Sequence, residues 1–418
     1  MLKAISFRIV AGLATLLLGG CSAEKQNHQA KSGEDGAISY SNREVGIPST
    51  DRPWITHVNV VDLDGDGLTD ILACDAQTNT VGWIRQTAKG RYHERIVAKD
   101  LPGPVHVEAV DMDGDSDLDL LLSCMGQVFP NNDLIGSVII LENLGKETFK
   151  RHDIITDTYR VTDVRAGDFT GDGLLDLAVG KFGYQQGEVT WLKNNGGWNF
   201  EENDLSSLPG AVNVCIEDLN GDGSLDIVAI ISQQYEELHL FENDGQGSFS
   251  DRIIFGSTNE DFGSSGISLC DLNQDGSTDI LYTNGDGFDY AQPGSRPWHG
   301  VQWLENDGKG NFQYHRIADF AGAYSPVGSD LDLDGDIDIV CVSGFNDWDN
   351  PASVSITAYI NDGNQTFTPQ VIAHTPTHLV SVVAADLEGD AYPEFVTGGF
   401  LAYPPWGHVS RVHIWSKR

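Results

Sequence analysis

Basic residues are scarce in this chain. Its 418 residues hold 25 Lys and Arg against 62 Asp and Glu, a formal net charge of −37. That field repels phosphate backbones and bare anionic bilayers, so nucleic acid is excluded as a partner and so is membrane contact through a basic face. Past the first twenty residues no segment sustains a helical period, and no apolar run approaches the ~20 residues of a spanning helix. The GxSxG, HExxH, phosphate-loop and kinase signatures are all missing, so common hydrolase and transferase chemistries have no local support. There is no CxxC pair either. Cys74, Cys124, Cys215, Cys270 and Cys341 each sit alone in an apolar stretch, which favours buried thiols over disulfides or nucleophiles.

The chain opens on what looks like an export signal. Lys3 and Arg8 precede an apolar run from Ile9 to Leu18 that is too short to span a bilayer. Leu18-Gly19-Gly20-Cys21 then resembles a bacterial lipobox, in which the cysteine thiol takes the lipid. Ser22 after that cysteine favours the outer membrane by resemblance to known sorting rules. The following polar stretch offers almost nothing apolar to offset its ordering entropy. The expected organisation is a signal peptide over 1–20, a tether over 21–36 and one folded unit over 37–418, placed at the outer membrane or cell surface by its lipid.

A nine-residue acidic pattern recurs seven times, with successive starts 49 to 59 residues apart. Its positions 1, 3, 5, 7 and 9 are Asp62, Asp64, Asp66, Leu68 and Asp70 in the first copy. The second has Asp111, Asp113, Asp115, Asp117 and Asp119; the third has Asp168, Thr170, Asp172, Leu174 and Asp176. Then come Asp218, Asn220, Asp222, Ser224 and Asp226, followed by Asp271, Asn273, Asp275, Ser277 and Asp279. The sixth holds Asp330, Asp332, Asp334, Asp336 and Asp338, and the loosest, the seventh, holds Asp386, Glu388, Asp390, Tyr392 and Glu394. Around each copy lie four short apolar-alternating segments, such as Val58–Val61 before the loop and Ile71–Ala73 after it. Asn-Asp-Gly turns at 243–245, 306–308 and 361–363 suit hairpins. Repeats of this length built from four strands predict an all-β fold, a seven-bladed β-propeller. The last repeat lacks a fourth strand, and Ala37–Val45 reads as that strand, pairing with Val412–Trp415 to close the ring.

These loops concentrate 27 of the 62 acidic residues. So many carboxylates repel unless a cation sits among them. Oxygens at positions 1, 3, 5 and 9, with a backbone carbonyl at 7, match the hard-oxygen shell of Ca²⁺. Position 12, the bidentate Glu of an EF-hand, is here Ala73, Leu122, Val179, Ala229, Tyr282, Cys341 and Thr397, which rules that motif out. Up to seven structural Ca²⁺ sites are expected, one in each blade.

On these motifs the chain resembles the FG-GAP/VCBS repeat family over essentially all of Ala37–Arg418. Its propellers include the head of integrin α chains, fungal lectins and domains of some polysaccharide lyases. Phe182-Gly183 occurs once and no Gly-Ala-Pro follows in any blade, a departure that argues against integrin-like recognition.

Antiparallel connectivity puts the acidic loops and Asn-Asp-Gly turns on one face and the longer aromatic loops on the other. The aromatic loops hold Tyr184, Trp298, His299, Trp348, Tyr403 and Trp406. Their rings either face a ligand or fold back on each other. Five residues before each motif, at the channel mouth, stand His57, His106, Asp163, Asn213, Gly266, Ser325 and Ser381, with Asn59, Glu108 and Arg165 two residues further on. These polar groups either bind a ligand or line a solvated channel. The candidate ligand-binding set is therefore His57, His106, Arg165, Tyr184, Trp298, His299, Trp348, Tyr403 and Trp406. Two functions remain: a monomeric surface binding or adhesion module for glycan or protein, and a polysaccharide lyase using His57, His106, Arg165, Tyr184, His299 and His378. The lack of a local catalytic signature favours binding. Cys21→Ser should move the protein from the membrane pellet to the soluble fraction; its retention in the pellet would contradict lipidation at Cys21.

Overall fold

The computed structural model describes residues 38–48, 51–129, 131–288, 290, 292–408 and 410–418. The signal, Cys21 and the tether lie outside them. The described residues form 28 strands and no helix, arranged as seven four-stranded antiparallel sheets. Blade one is built from β2 (Ile55–Val61), β3 (Asp70–Asp75), β4 (Thr80–Ala88) and β5 (Arg91–Ala98), ordered from the channel outward. Five further blades repeat that order.

Burial follows position within a blade. All six residues of β3 are buried, whereas β5 is exposed at alternate positions over its first half. A second strand covered on both sides must be apolar throughout, which explains runs such as Ile71-Leu72-Ala73. The hydrophobic core accordingly lies between blades. Leu72, Val81 and Trp83 of blade one pack with Val107, Leu120 and Ile139 of blade two. Six comparable clusters complete the circuit. The five cysteines are free thiols, four of them fully buried within these layers. Burial raises every one of their pKa values, so they act as small apolar residues.

The ring closes as the sequence predicts. Strand β1 (Tyr40–Val45) pairs antiparallel with β28 (Val412–Lys417), from Tyr40 opposite Lys417 to Val45 opposite Val412. Sheet order β1-β28-β27-β26, with β26 at Leu379–Ala385 and β27 at Glu394–Gly399, leaves the last blade complete. A buried ion pair locks the seam. Arg411 donates from Nη1 and Nη2 to the two oxygens of Glu94, at 2.6 and 2.7 Å. The Glu94 side chain is fully buried. Gly46 and Gly82 leave room for it, since a Cβ at either would collide with its carboxylate.

Removing one partner of a buried pair strands the other charge. Glu94→Ala should therefore lower unfolding free energy by about 3–5 kcal/mol, read from urea denaturation. A loss below ~1 kcal/mol, the worth of a surface pair, would show that the seam is held by strand pairing alone.

Candidate functional site: the acidic loops and the central channel

Every acidic loop folds around its first carboxylate. Asp62 accepts the amides of Asp66 at 3.0 Å and Gly67 at 2.7 Å, and Asp66 accepts the amide of Leu68 at 3.0 Å. The same bonds recur in later blades, for example Asp218 with the amides of Asp222 and Gly223. This tight wrap needs left-handed backbone at two positions. Position 6 has positive φ throughout, 84° at Gly67 but also 77° at Ser116 and 73° at Ala391. Position 4 does too, from Gly65 at 69° to Leu333 at 64°. The sequence reading missed this requirement at position 4, although glycine fills it in five of seven copies.

The residues present fit a hard divalent cation. Carboxylate oxygens of Asp62, Asp64 and Asp66 lie within 4.8 Å of one another, as do those of Asp111, Asp113 and Asp115, and of Asp330, Asp332 and Asp338. Burial raises the pKa of Asp64, Asp113 and Asp332, and neighbouring carboxylates add to it. Their negative charge is held at a cost that a cation would offset. In blade one the Arg85 guanidinium also sits on Asp64 and Asp66, so a protein cation shares that loop.

Position 9 has a second duty. The Asp70 carboxylate accepts the Leu63 amide, the Trp83 indole N–H at 2.8 Å and the Gln86 amide at 2.7 Å. Burial pushes its pKa up to about 6. Asn243 and Asn306, read from sequence only as turn residues, are buried. Asn306 donates through Nδ2 to Thr278 O in its own blade and to Leu219 O in the preceding blade's loop, both at 2.9 Å. Asn243 does the same to Leu225 O and Phe169 O. Their recurrence before Asp-Gly was the available signal.

The channel is lined by the first strand of each blade, and each of these strands carries a register shift near its start. The shifts fall between Ile55 and His57, Pro104 and His106, Val161 and Asp163, Ser264 and Gly266, and Leu379 and Ser381, with wider steps from Ala211 to Val214 and from Tyr324 to Val327. A bulge re-aims the residue that follows it. Freed hydroxyls there tie neighbouring blades together: Thr56 donates to Pro104 O at 2.8 Å, Thr162 to Ala211 O at 2.9 Å and Ser325 to Val380 O at 2.7 Å.

A cavity of about 470 Å³ results, lined by His57, Asn59, His106, Arg165, Tyr184 and Asn213, with Gly266, Ser325 and Ser381 from the later blades. Behind it Asp163 is fully buried and accepts the Val164 amide at 2.9 Å, the Val214 amide at 3.1 Å and the Asn213 carboxamide at 3.3 Å. His106 Nδ1 stands 3.2 Å and Arg165 Nε 3.4 Å from Oδ1, the oxygen that accepts the Val164 amide. Burial drives both His57 and His106 well below the usual histidine range, so both rings are neutral, with centroids 4.2 Å apart and planes tilted by 37°. The His57 Nδ1 accepts the Val107 amide at 3.3 Å, which fixes its proton on Nε2. His106 Nε2 is buried without a partner. Burial raises Glu108, which accepts the Ala166 amide at 3.1 Å. Arg165, with 28% of its side chain exposed, lines this channel.

Over the mouth the aromatic loops pack on one another. Phe129 of blade two stacks on Phe288 of blade five at 5.5 Å, and Phe288 meets Phe345 at 5.9 Å and Phe400 at 6.2 Å. Trp54 bridges Phe129 and Phe400. The sequence reading did not single out Trp54 or Phe129; the lone Phe of a polar loop was the only signal.

Of the nine candidate ligand residues, four share the cavity: His57, His106, Arg165 and Tyr184. The other five are elsewhere. Trp298 donates its indole N–H to Asp261 O at 2.6 Å. His299 is buried, accepts the Arg296 and Gly322 amides, and is pushed down to about 4 by burial. Trp348 is buried near His378, itself buried and lowered to about 4 by burial. Tyr403 stacks on Phe345 and donates to Gly344 O at 2.6 Å, and the Arg52 guanidinium covers the Trp406 ring at 4.2 Å.

Left-handed backbone without glycine costs roughly 1–2 kcal/mol. Ala391→Gly should thus raise stability by ~1 kcal/mol, whereas Asn306→Ala should lower it by about 1–3 kcal/mol by leaving two buried carbonyls unpaired. Thermal melts of both variants decide; a destabilised Ala391→Gly would mean that the seventh loop is relaxed as it stands.

Comparison with known proteins agrees with this architecture. No curated protein matches the chain. Two solved structures of BBS1N in complex with ARL6DN, soaked with lead and with mercury, superpose with TM-scores of 0.54 and 0.53. Each is 10% identical and covers 91% of this chain and 97% of its own, a likeness of fold alone. The model of the FG-GAP-like repeat matches residues 62–122, 168–229, 218–282 and 330–397. With more than half its length matched and seven blades that each carry the acidic loop, the chain belongs to the FG-GAP-like repeat family.

Proposed function

We propose that the protein is an exported, lipid-anchored, calcium-loaded propeller that acts as a monomeric binding module at the outer membrane or cell surface. Its ligand is a glycan or a protein, met on the aromatic-loop face. The observation that carries this reading is the cavity of about 470 Å³ under that face, with His57, Arg165 and Asn213 converging on it. The structural neighbour BBS1N was crystallised with a protein partner, which supports protein as the ligand class. Lipidation at Cys21 would hold the module at the membrane while the tether gives it reach.

Calcium is assigned a structural role. Positions 1, 3, 5 and 9 of each loop, with the position 7 carbonyl, would hold it, and the abundant calcium outside cells suits sites of roughly 10⁻⁴–10⁻³ M. The alternative, a polysaccharide lyase, would use His57 as base and Arg165 to neutralise a uronate. Against it stands the Asp163 carboxylate already beside that guanidinium.

A glycan array, a protein-capture screen and a lyase assay on the calcium-loaded protein should give binding without unsaturated sugar products. Eliminative cleavage would overturn the binding-module reading in favour of the enzyme. Chelation with EDTA should lower the melting temperature, since binding to the folded state stabilises it by mass action. Equal melts with EDTA and with excess Ca²⁺ would sink the calcium assignment.

A further inference from the structure

The channel cavity is mixed in character. Blades one to three supply His57, His106, Arg160 and Arg165, whereas Val212, Ile267, Val327 and Val382 of the later blades lie beside Asp286, Ser325 and Ser381. Phe288, Phe345 and Phe400 roof it. Donors concentrate on the side of the first three blades. His57 carries its proton on Nε2, because Nδ1 accepts the Val107 amide, and no protein acceptor meets that proton among the described residues. Arg165 hydrogen-bonds within the protein through Nε, to Val214 O at 3.3 Å, which leaves the Nη end of its fork toward the channel. Two donors on one side, facing Ile267, Val327 and Val382 across the cavity, select a ligand with an acceptor at that end.

Charge decides what kind of acceptor. Asp163 lies 3.4 Å from the Arg165 guanidinium and already balances it, with the Glu108 carboxyl close by, and the other two charged residues of the lining, Arg160 and Asp286, are of opposite sign. A ligand carboxylate would add an uncompensated negative charge to an enclosed site, and an ammonium would meet N–H donors. We propose that the cavity binds an uncharged small molecule with an apolar body and one carbonyl acceptor, of the class of neutral acyl amides, esters and lactones. The carbonyl takes His57 Nε2–H and Arg165 Nη–H, and the body lies against Ile267, Val327 and Val382 under the phenyl roof. The inference deepens the binding-module reading and rests on it for the choice of face.

The test uses Prodan, an uncharged acyl-naphthalene dye with one ketone oxygen, and anilinonaphthalene sulfonate as its anionic counterpart. Titrated into the calcium-loaded protein, Prodan should bind saturably at one site per chain with blue-shifted emission, and the sulfonate should not. His57→Phe keeps a ring but removes the donor, and should weaken Prodan about tenfold, the worth of one buried hydrogen bond. Val382→Trp fills the cavity and should abolish the signal; Ile267→Phe replaces it if circular dichroism shows that the first variant misfolds. Absence of saturable Prodan binding, unchanged binding by the filled variant, or equal binding of the sulfonate would overturn the inference. Array or capture binding without Prodan binding would overturn it while leaving the module reading intact. Prodan binding by a protein that captures no glycan or protein would do the reverse.

Discussion

The carboxylate at position 9 of each acidic loop is the group on which the blades depend. In blade two the buried Asp119 accepts the Met112 amide at 3.0 Å through one oxygen and the Asn143 amide at 2.7 Å through the other. Asp176, Asp226, Asp279 and Asp338 bond in the same way to position 2 of the loop and to the end of the third strand. One short side chain thereby ties the loop, the second strand and the third strand at their common end. Glu394 keeps half of the device in the last blade, reaching the Leu387 amide at 2.8 Å. Because burial opposes the charge of this group, its hydrogen bonds are what keep it there.

From that latch the geometry of both faces follows. The turn after the third strand is drawn against the acidic loop, close enough that a Cβ on Gly245 would lie 2.8 Å from Ser224 Oγ. Loops and turns thus crowd one face. At the far end of strands six or seven residues long, roughly 20 Å away, the connections are free to lengthen and carry aromatic rings. A cation among the acidic loops would therefore stiffen the scaffold without reaching anything held at the other end.

The channel illustrates how backbone irregularity builds a site. A bulge in every first strand re-aims the residues beside it, and six of the seven positions five residues before the motifs line one cavity, with Asp163 buried behind it. Equivalent positions do not carry equivalent chemistry. Imidazoles and a carboxylate occupy the first three blades, and Asn213, Gly266, Ser325 and Ser381 the rest. A pseudo-symmetric ring thus acquires imidazoles and a guanidinium on one side and hydroxyls, an amide and aliphatic side chains on the other, which gives any occupant a direction.

The seven acidic motifs and the spacing between them were legible in sequence because each blade repeats the same local solution. Strand pattern, closure by the Tyr40–Val45 strand and the opposite placement of two loop sets all follow from local alternation and hairpin connectivity. The convergence of His57, His106 and Arg165 on the channel was legible for the same reason, since two fixed offsets, five and three residues before equal motifs, fall on one strand face. Contacts between distant blades were not. Phe129 and Phe288 are 159 residues apart in the chain yet stack across the mouth, and Trp348, which reads from sequence as a platform for ligand, is buried. A repeat states what each blade does alone. Which rings meet over a closed circuit depends on loop lengths and on the packing of side chains contributed by several blades, and that only the tertiary structure decides.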